Sequence, residues 1–407
     1  MNFLGWIDHD PHHEDAILSA LGSIKGQDAR DELGLGTIRD SFADLLFPGL
    51  STIQQRVRYF LMVQWCCEHA ASHGDADRIL SRLRNSEEAL IRSLKHLGEG
   101  HGVIGIQSQE DLERMPSEIY WNGLLVLQMR RLRGNRKRWA RQVAFNRARI
   151  DPLAEDGGKA KVDIGFDMER PSPPEGFPTV ADLDFDLTPE EAEFLRIRLS
   201  NACVNPAGHG LEYNLFGVFA RHRRKTYVSA LWDHPRMPAL STEAQGMVML
   251  AGAFARVIYG AVILYNVCVA RLMPKNQNGD RLRTMHETAF VKWAEDLNPA
   301  DVDLLARRIQ ELAPLGLITR HSIDEKVIAF VRKWTAHSDD PHKLLNDAAA
   351  CRLVSDREVY LKSEGGTSRI RSAKQRERWS GESGSQQMDF RWLTARSCLN
   401  DLAAAHA

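Results

Sequence analysis

The chain has almost no net charge. Its 407 residues carry 53 Lys plus Arg against 54 Asp plus Glu, which excludes a long-range field drawing in nucleic acid or an anionic membrane, so any such partner must meet a local patch. Cysteine is sparse: six residues, at 66, 67, 203, 268, 351 and 398, with no CxxC spacing. The adjacent Cys66 and Cys67 are poor material for a structural bridge or a zinc site, and the thiols read as reduced, in a cytoplasmic protein. The first residues, MNFLGWIDHDPHHED, lack the basic start and long apolar region of a secretory signal. No G-x-S-x-G, H-E-x-x-H or kinase pattern occurs, and HKLLND (342–347) has the wrong spacing for a phospholipase-D-type His-Lys-Asp set. No cofactor and no bound metal are expected.

Long apolar runs are equally scarce. The one that stands out, MVMLAGAFARVIYGAVILYNVCVA (247–270), is long enough to span a bilayer. Arg256 near its centre and Asn266 make insertion costly, by roughly 2.5–3.5 kcal/mol for the arginine alone. Its small residues permit close helix packing, so the run is expected to be a buried core helix, with no membrane partner.

What the sequence does have is helix punctuation. Asp10-Pro11, Thr37, Ser51 with Gln54, Thr188-Pro189 with Glu191, Thr242 with Gln245, and Ser322 with Glu325 each place a short oxygen before an apolar-periodic run. The fold class is therefore mainly α, a multi-helix protein of two or three helical domains with minor β. Ile38, Phe42, Leu45 and Leu46 share one helix face, Pro48-Gly49 stops it, and Ile53, Val57, Phe60, Leu61 and Trp65 repeat the spacing; a helical hairpin is expected there. VSALWDHP (228–235) reads as a strand or loop.

The domain organisation expected is an N-terminal helical domain over 1–150 and an acidic, Pro/Gly-rich linker or irregular loop over 151–188. A central helical domain over 189–340 contains the buried helix 242–273, and a C-terminal region over 341–407 holds a basic loop and a final helix.

Three stretches invite chemistry. DELGLGTIRD (31–40) has neither the third glycine of a dinucleotide loop nor a preceding strand, which leaves a capped helix start whose end could hold an anion beside Arg39. DHDPHHED (8–15) packs three histidines and four acids, but neighbours in sequence cannot all converge on one ion. Asp233-His234 is an acid-base pair without a recognisable nucleophile.

The strongest local signal is RRLRGNRKRWARQVAFNRAR (130–149), with nine Arg or Lys, no acid, and aromatic residues interleaved. On a helix after Gly134-Asn135, Arg138, Arg141 and Gln142 share a face opposite Val143, giving a basic ridge able to lie against phosphates. The candidate nucleic-acid-binding residues are Arg130, Arg131, Arg133, Arg136, Lys137, Arg138, Trp139 and Arg141. A second cluster, Arg369, Arg371, Lys374, Arg376 and Arg378 beside Trp379, repeats the composition in a loop. Pairing of these cations with the acidic 151–191 stretch is the alternative to binding a polyanion.

The stretch RDELGLGTIRDSFADLLFPGLSTIQQRVRYFLMVQW, together with GWID, GVIG (102–105), PSEIYWNGL (116–124), LWDHP and the late MDFRW, resembles the bacterial domain-of-unknown-function family numbered 6361 over most of the chain. The resemblance implies a neighbourhood of helicases, phospholipase-D-like nucleases and DNA-modification genes in phage-defence clusters, and carries no catalytic residues. The expectation that follows is a non-catalytic helical accessory component of a DNA-processing or phage-defence system that contacts DNA or RNA and helicase or nuclease proteins. The alternatives are a protein-only scaffold, or a cryptic metal-dependent hydrolase or nuclease built from Asp8, His9, Asp233 or His234.

Overall fold

The computed structural model describes residues 31–72, 74–98, 100–105, 114–150, 162–362, 367–384 and 386–405. Among them the chain order is α1 (Gly36–Leu46), α2 (Tyr59–Ala70), α3 (Ala76–Leu94), α4 (Pro116–Val126), α5 (Arg136–Ile150), α6 (Pro189–Ser200), α7 (Phe216–Phe219), α8 (Thr242–Arg271), α9 (Gln277–Asp296), α10 (Pro299–Arg308), α11 (Leu312–Thr319), α12 (Glu325–His337), α13 (Ala348–Lys362), α14 (Ala373–Glu377) and α15 (Trp392–Ala404). The protein is mainly α. Its β content among the described residues is a single antiparallel bridge, Arg130 to Phe166, and the LWD of VSALWDHP is a 3-10 turn.

Two units emerge, each discontinuous in sequence. The described part of the first lies within Phe47–Ser229 and Arg391–Ala407, that of the second within Ile24–Leu46 and Ala230–Phe390. The 189–340 segment is thus shared between them, a division that a left-to-right scan for linkers does not reveal.

In the first unit α2 is apolar on nearly every side, with ten of its twelve residues buried, so it needs neighbours all round and packs on α3 and α4. Helix α3 is amphipathic instead: Ile79, Leu83, Leu90, Ile91 and Leu94 face inward. Its start is fixed by Asp75, whose side chain accepts from the Arg78 amide at 2.9 Å. Residues 162–188 have no regular structure yet are held in place: Arg58 donates to Asp184 at 3.1 Å and to Glu191 at 2.9 Å, and the Trp65 indole donates to the Pro171 carbonyl at 3.0 Å. They are an irregular packed segment. Residues 151–161 of the expected linker lie outside the described residues.

The second unit is organised by α8, against which α9, α10, α12 and α13 pack. By length and composition α8 could cross a membrane, and 78% of its most apolar window is buried inside the protein. Close packing depends on its small residues: a Cβ at Gly260 would lie 2.2 Å from the Trp293 ring.

The segment after Pro48-Gly49 differs from the sequence expectation. Ser51 and Gln54 do form half of a capping box, the Gln54 side chain accepting from the Ser51 amide at 3.2 Å, but residues 51–58 stay in turns and the helix begins at Tyr59. The hairpin does not form: α1 packs with α11 in the second unit, while α2 belongs to the first. A helix as uniformly apolar as α2 cannot be satisfied by one antiparallel partner.

Candidate nucleic-acid interface

Gly134, at φ +107°, turns the chain in a conformation that L side chains rarely adopt, and the Asn135 side chain accepts from the Arg138 amide at 2.9 Å. Together they start α5. The helix is then fixed by its apolar side. Trp139 and Val143 are buried at 1% and 0% exposure; the Trp139 indole donates to the Ile164 carbonyl at 2.9 Å and meets the rings of Trp121 and Phe166 edge-on. The opposite side faces water. Lys137, Arg138, Arg141, Gln142, Phe145 and Arg149 are all exposed, and at 3.6 residues per turn they form one continuous stripe.

The electrostatics of that stripe are one-sided. Helix α5 contains no acidic residue. Among the described residues, Arg133, Lys137, Arg138 and Arg141 have no ion-pair or hydrogen-bond partner for their side chains. Phe145, 56% exposed, follows Arg141 by one turn, and the Arg149 guanidinium lies over its ring at 5.5 Å. Phe145 and Arg149 extend the interface beyond the residues picked by charge density; the i, i+4 series 141, 145, 149 is the signal that identifies them.

Other candidates in this segment hold the fold together. Arg130 is 2% exposed, stacks on Trp121 at 4.2 Å, and donates to the Trp121 carbonyl at 3.0 Å and to the Leu132 carbonyl. Burial pulls its guanidinium down to about 10. Arg136 donates to Ser117 at 3.1 Å and pairs with Glu118, and Arg131 pairs with Asp163 at 2.8 Å on the surface. Arg130 and Trp139 are therefore removed from the nucleic-acid surface, since neither reaches solvent, and Arg136 is committed to its own carboxylate.

The second cluster, in the other unit, divides in the same way. Arg369 is 8% exposed, paired with Glu32 and donating to Ser383 at 2.9 Å; its backbone amide donates to the buried Glu358 carboxylate at 2.7 Å. Arg376 folds back onto the carbonyls of Arg369 and Ile370 at 2.7 and 3.1 Å. Trp379 is buried and stacks on His286 at 5.6 Å. Arg369 leaves the candidate surface, Arg376 is largely occupied, and Arg371, Lys374 and Arg378 remain exposed. Gly365 and Gly366 lie outside the described residues.

The remaining sequence candidates do not converge. The Leu35 and Gly36 amides at the start of α1 are taken by the carboxylate of Asp31 at 2.8 and 2.5 Å, so the chain supplies its own anion there, and Arg39 pairs with Asp40 at 3.0 Å. Asp31, not Thr37, does the capping. Asp233 is exposed while His234 is buried, its Nδ1 accepting from the Arg236 amide at 3.2 Å. No group of three His, Cys, Asp or Glu able to hold a metal occurs among the described residues; Asp8, His9 and the rest of 8–15 lie outside them.

A family model described as "Family of unknown function (DUF6361)" matches residues 1–406. No curated protein and no solved structure matches the chain.

Proposed function

The chain belongs to the DUF6361 family, and on that premise we propose that it is a non-catalytic accessory protein that binds nucleic acid through the solvent stripe of α5, within a DNA-processing or phage-defence system. Lys137, Arg138, Arg141 and Arg149 contact phosphates, Phe145 offers a ring to a base, and Arg133 lies at the approach to the helix. The observation that carries this reading is that these exposed cations share one face with no carboxylate on the helix to neutralise them. A polyanion gains by displacing their counterions. Partner proteins of the helicase or phospholipase-D-like nuclease kind are proposed on the family resemblance alone.

Fluorescence anisotropy with a labelled oligonucleotide across a salt series tests it. About three or four phosphate contacts should give a slope of log affinity against log salt of roughly −2 to −3 on a single strand and about −3 to −3.5 on a duplex. Charge reversal at Arg138 and Arg141 should flatten that slope and abolish binding at moderate salt. Undetectable binding, or binding indifferent to salt and to the double reversal, would overturn the proposal.

A further inference from the structure

RHRRK (221–225) lies outside both arginine-rich segments considered above, and no Asp or Glu occurs between Glu212 and Asp233 in the sequence. The fold pins this run at both ends. On one side α7 sets Phe219 edge-on against the Trp392 ring at 6.3 Å and Phe216 against Phe47 at 5.5 Å, and the Ala220 carbonyl accepts from Arg196 Nε at 3.1 Å. On the other side the Asn400 side chain closes a pair of hydrogen bonds with the Thr226 backbone, accepting at 2.8 Å and donating at 3.0 Å. The Trp392 indole and Arg396 donate to the Val228 carbonyl at 3.0 and 3.2 Å. Trp392, Arg396 and Asn400 stand at i, i+4 and i+8 of α15, so one face of that helix holds the chain from 226 to 228.

What is held this way is a patch of cations. Arg221, Arg223, Arg224 and Lys225 are exposed, whereas Thr226, between Lys225 and Tyr227, is buried; Tyr227 itself is 53% exposed. Among the described residues none of the four cations has an ion-pair or hydrogen-bond partner for its side chain. We propose that Arg223, Arg224, Lys225 and Tyr227 form a second site for single-stranded nucleic acid, the cations on successive phosphates and the tyrosine ring against a base. This extends the reading given for α5 to another surface of the same unit, and either surface can fail without the other.

Two features choose this ligand. Four like charges within five residues repel one another, and a chain of phosphates offers each a counter-charge while releasing its own condensed cations. The ring beside them has no flat partner on a duplex backbone or a lipid headgroup, but it stacks on an unpaired base whatever its sequence. Because α15 already fixes the backbone, binding immobilises side chains alone, which lowers the ordering cost. Contacts made only to phosphates and to the face of a base leave the site indifferent to sequence.

Anisotropy of fluorescein-labelled oligothymidylate with the full-length protein across a salt series tests this, with melting curves as the control for folding. Three phosphate contacts contribute about 2 to the steepness of log affinity against log salt on a single strand, so Arg223→Gln, Arg224→Gln and Lys225→Gln together should lower it by about that much. Tyr227→Ala should weaken binding by about fivefold or more with the slope unchanged. In the wild type, photocrosslinking to an oligonucleotide carrying iodouracil should mark the peptide that holds Tyr227, a readout that needs no variant. A triple variant with wild-type affinity and slope, or crosslinks confined to α5, overturns this site and leaves the α5 stripe standing. Loss in the triple variant with none on reversing Arg138 and Arg141 keeps this site and removes the other. Binding of phosphatidylserine vesicles that depends on the same cations, without binding of the oligonucleotide, would assign the patch to a membrane and overturn the proposal.

Discussion

Arg256, in the middle of the long apolar helix α8, meets Asp301 at two points, Nε to Oδ2 at 2.7 Å and Nη2 to Oδ1 at 2.6 Å. The guanidinium also covers the Trp232 ring at 4.9 Å. This pair is how α8 tolerates a cation among its buried residues, and α10 supplies the carboxylate. Removing one partner strands the other's charge in a partly buried site. Asp301→Ala should therefore lower the unfolding free energy by about 2–4 kcal/mol, whereas Arg256→Met combined with Asp301→Leu should recover most of that loss. Urea denaturation of the three proteins checks it, and a double variant as unstable as the single would refute the assignment.

Helix α5 offers a separation of roles within a single element. Trp139→Ala should cost about 3–5 kcal/mol, since it empties a site walled by Trp121 and Phe166. Arg141→Ala, on the opposite face, should leave thermal stability within about 0.5 kcal/mol of the wild type. Differential scanning fluorimetry gives both numbers; equal losses would mean that the exposed face is also structural.

The same helix predicts a dependence on its aromatic residue. Phe145→Ala should weaken binding of a single-stranded oligonucleotide by about 1–3 kcal/mol, roughly fivefold or more, and leave the melting temperature unchanged. Titration by anisotropy beside a melting curve measures the two together. An affinity that does not move would confine the interface to its cations.

Glu87 makes the first unit pH-sensitive. It is fully buried and accepts from the Ser117 amide at 2.5 Å and from its hydroxyl at 3.1 Å. Burial pushes its carboxyl up to about 7 from an ordinary 4.5, against those hydrogen bonds and Arg136. The folded state thus holds the proton more tightly than the unfolded chain, so the stability that the protonated acid contributes is full below about 4.5 and is lost as pH rises toward 7. Glu87→Gln keeps the shape without the charge. It should flatten the decline between pH 5 and 7.5 and exceed the wild type at pH 8 by roughly 1–3 kcal/mol. Denaturation at several pH values tests the sign as well as the size.

Periodicity and capping chemistry alone determined much of this protein. The α6 start, with Thr188, Pro189 and Glu191 as a capping box, the 242–271 helix and the stripe of Arg138, Arg141 and Gln142 opposite Val143 were all legible, because each depends on residues within a few turns of one another. Where competing local oxygens were available, the choice shifted: Ser241 rather than Thr242 caps α8, and Asp324 rather than Ser322 caps α12.

Tertiary structure alone decided which charges are free. Nothing in RRLRGNRKRW distinguishes Arg130 from Arg138, yet the first is enclosed by Trp121 and backbone carbonyls and the second stands in water. Likewise Arg369 is neutralised by Glu32, a carboxylate more than three hundred residues away in sequence. A guanidinium's availability is set by what the fold brings within a few ångströms of it, and composition carries no record of that distance.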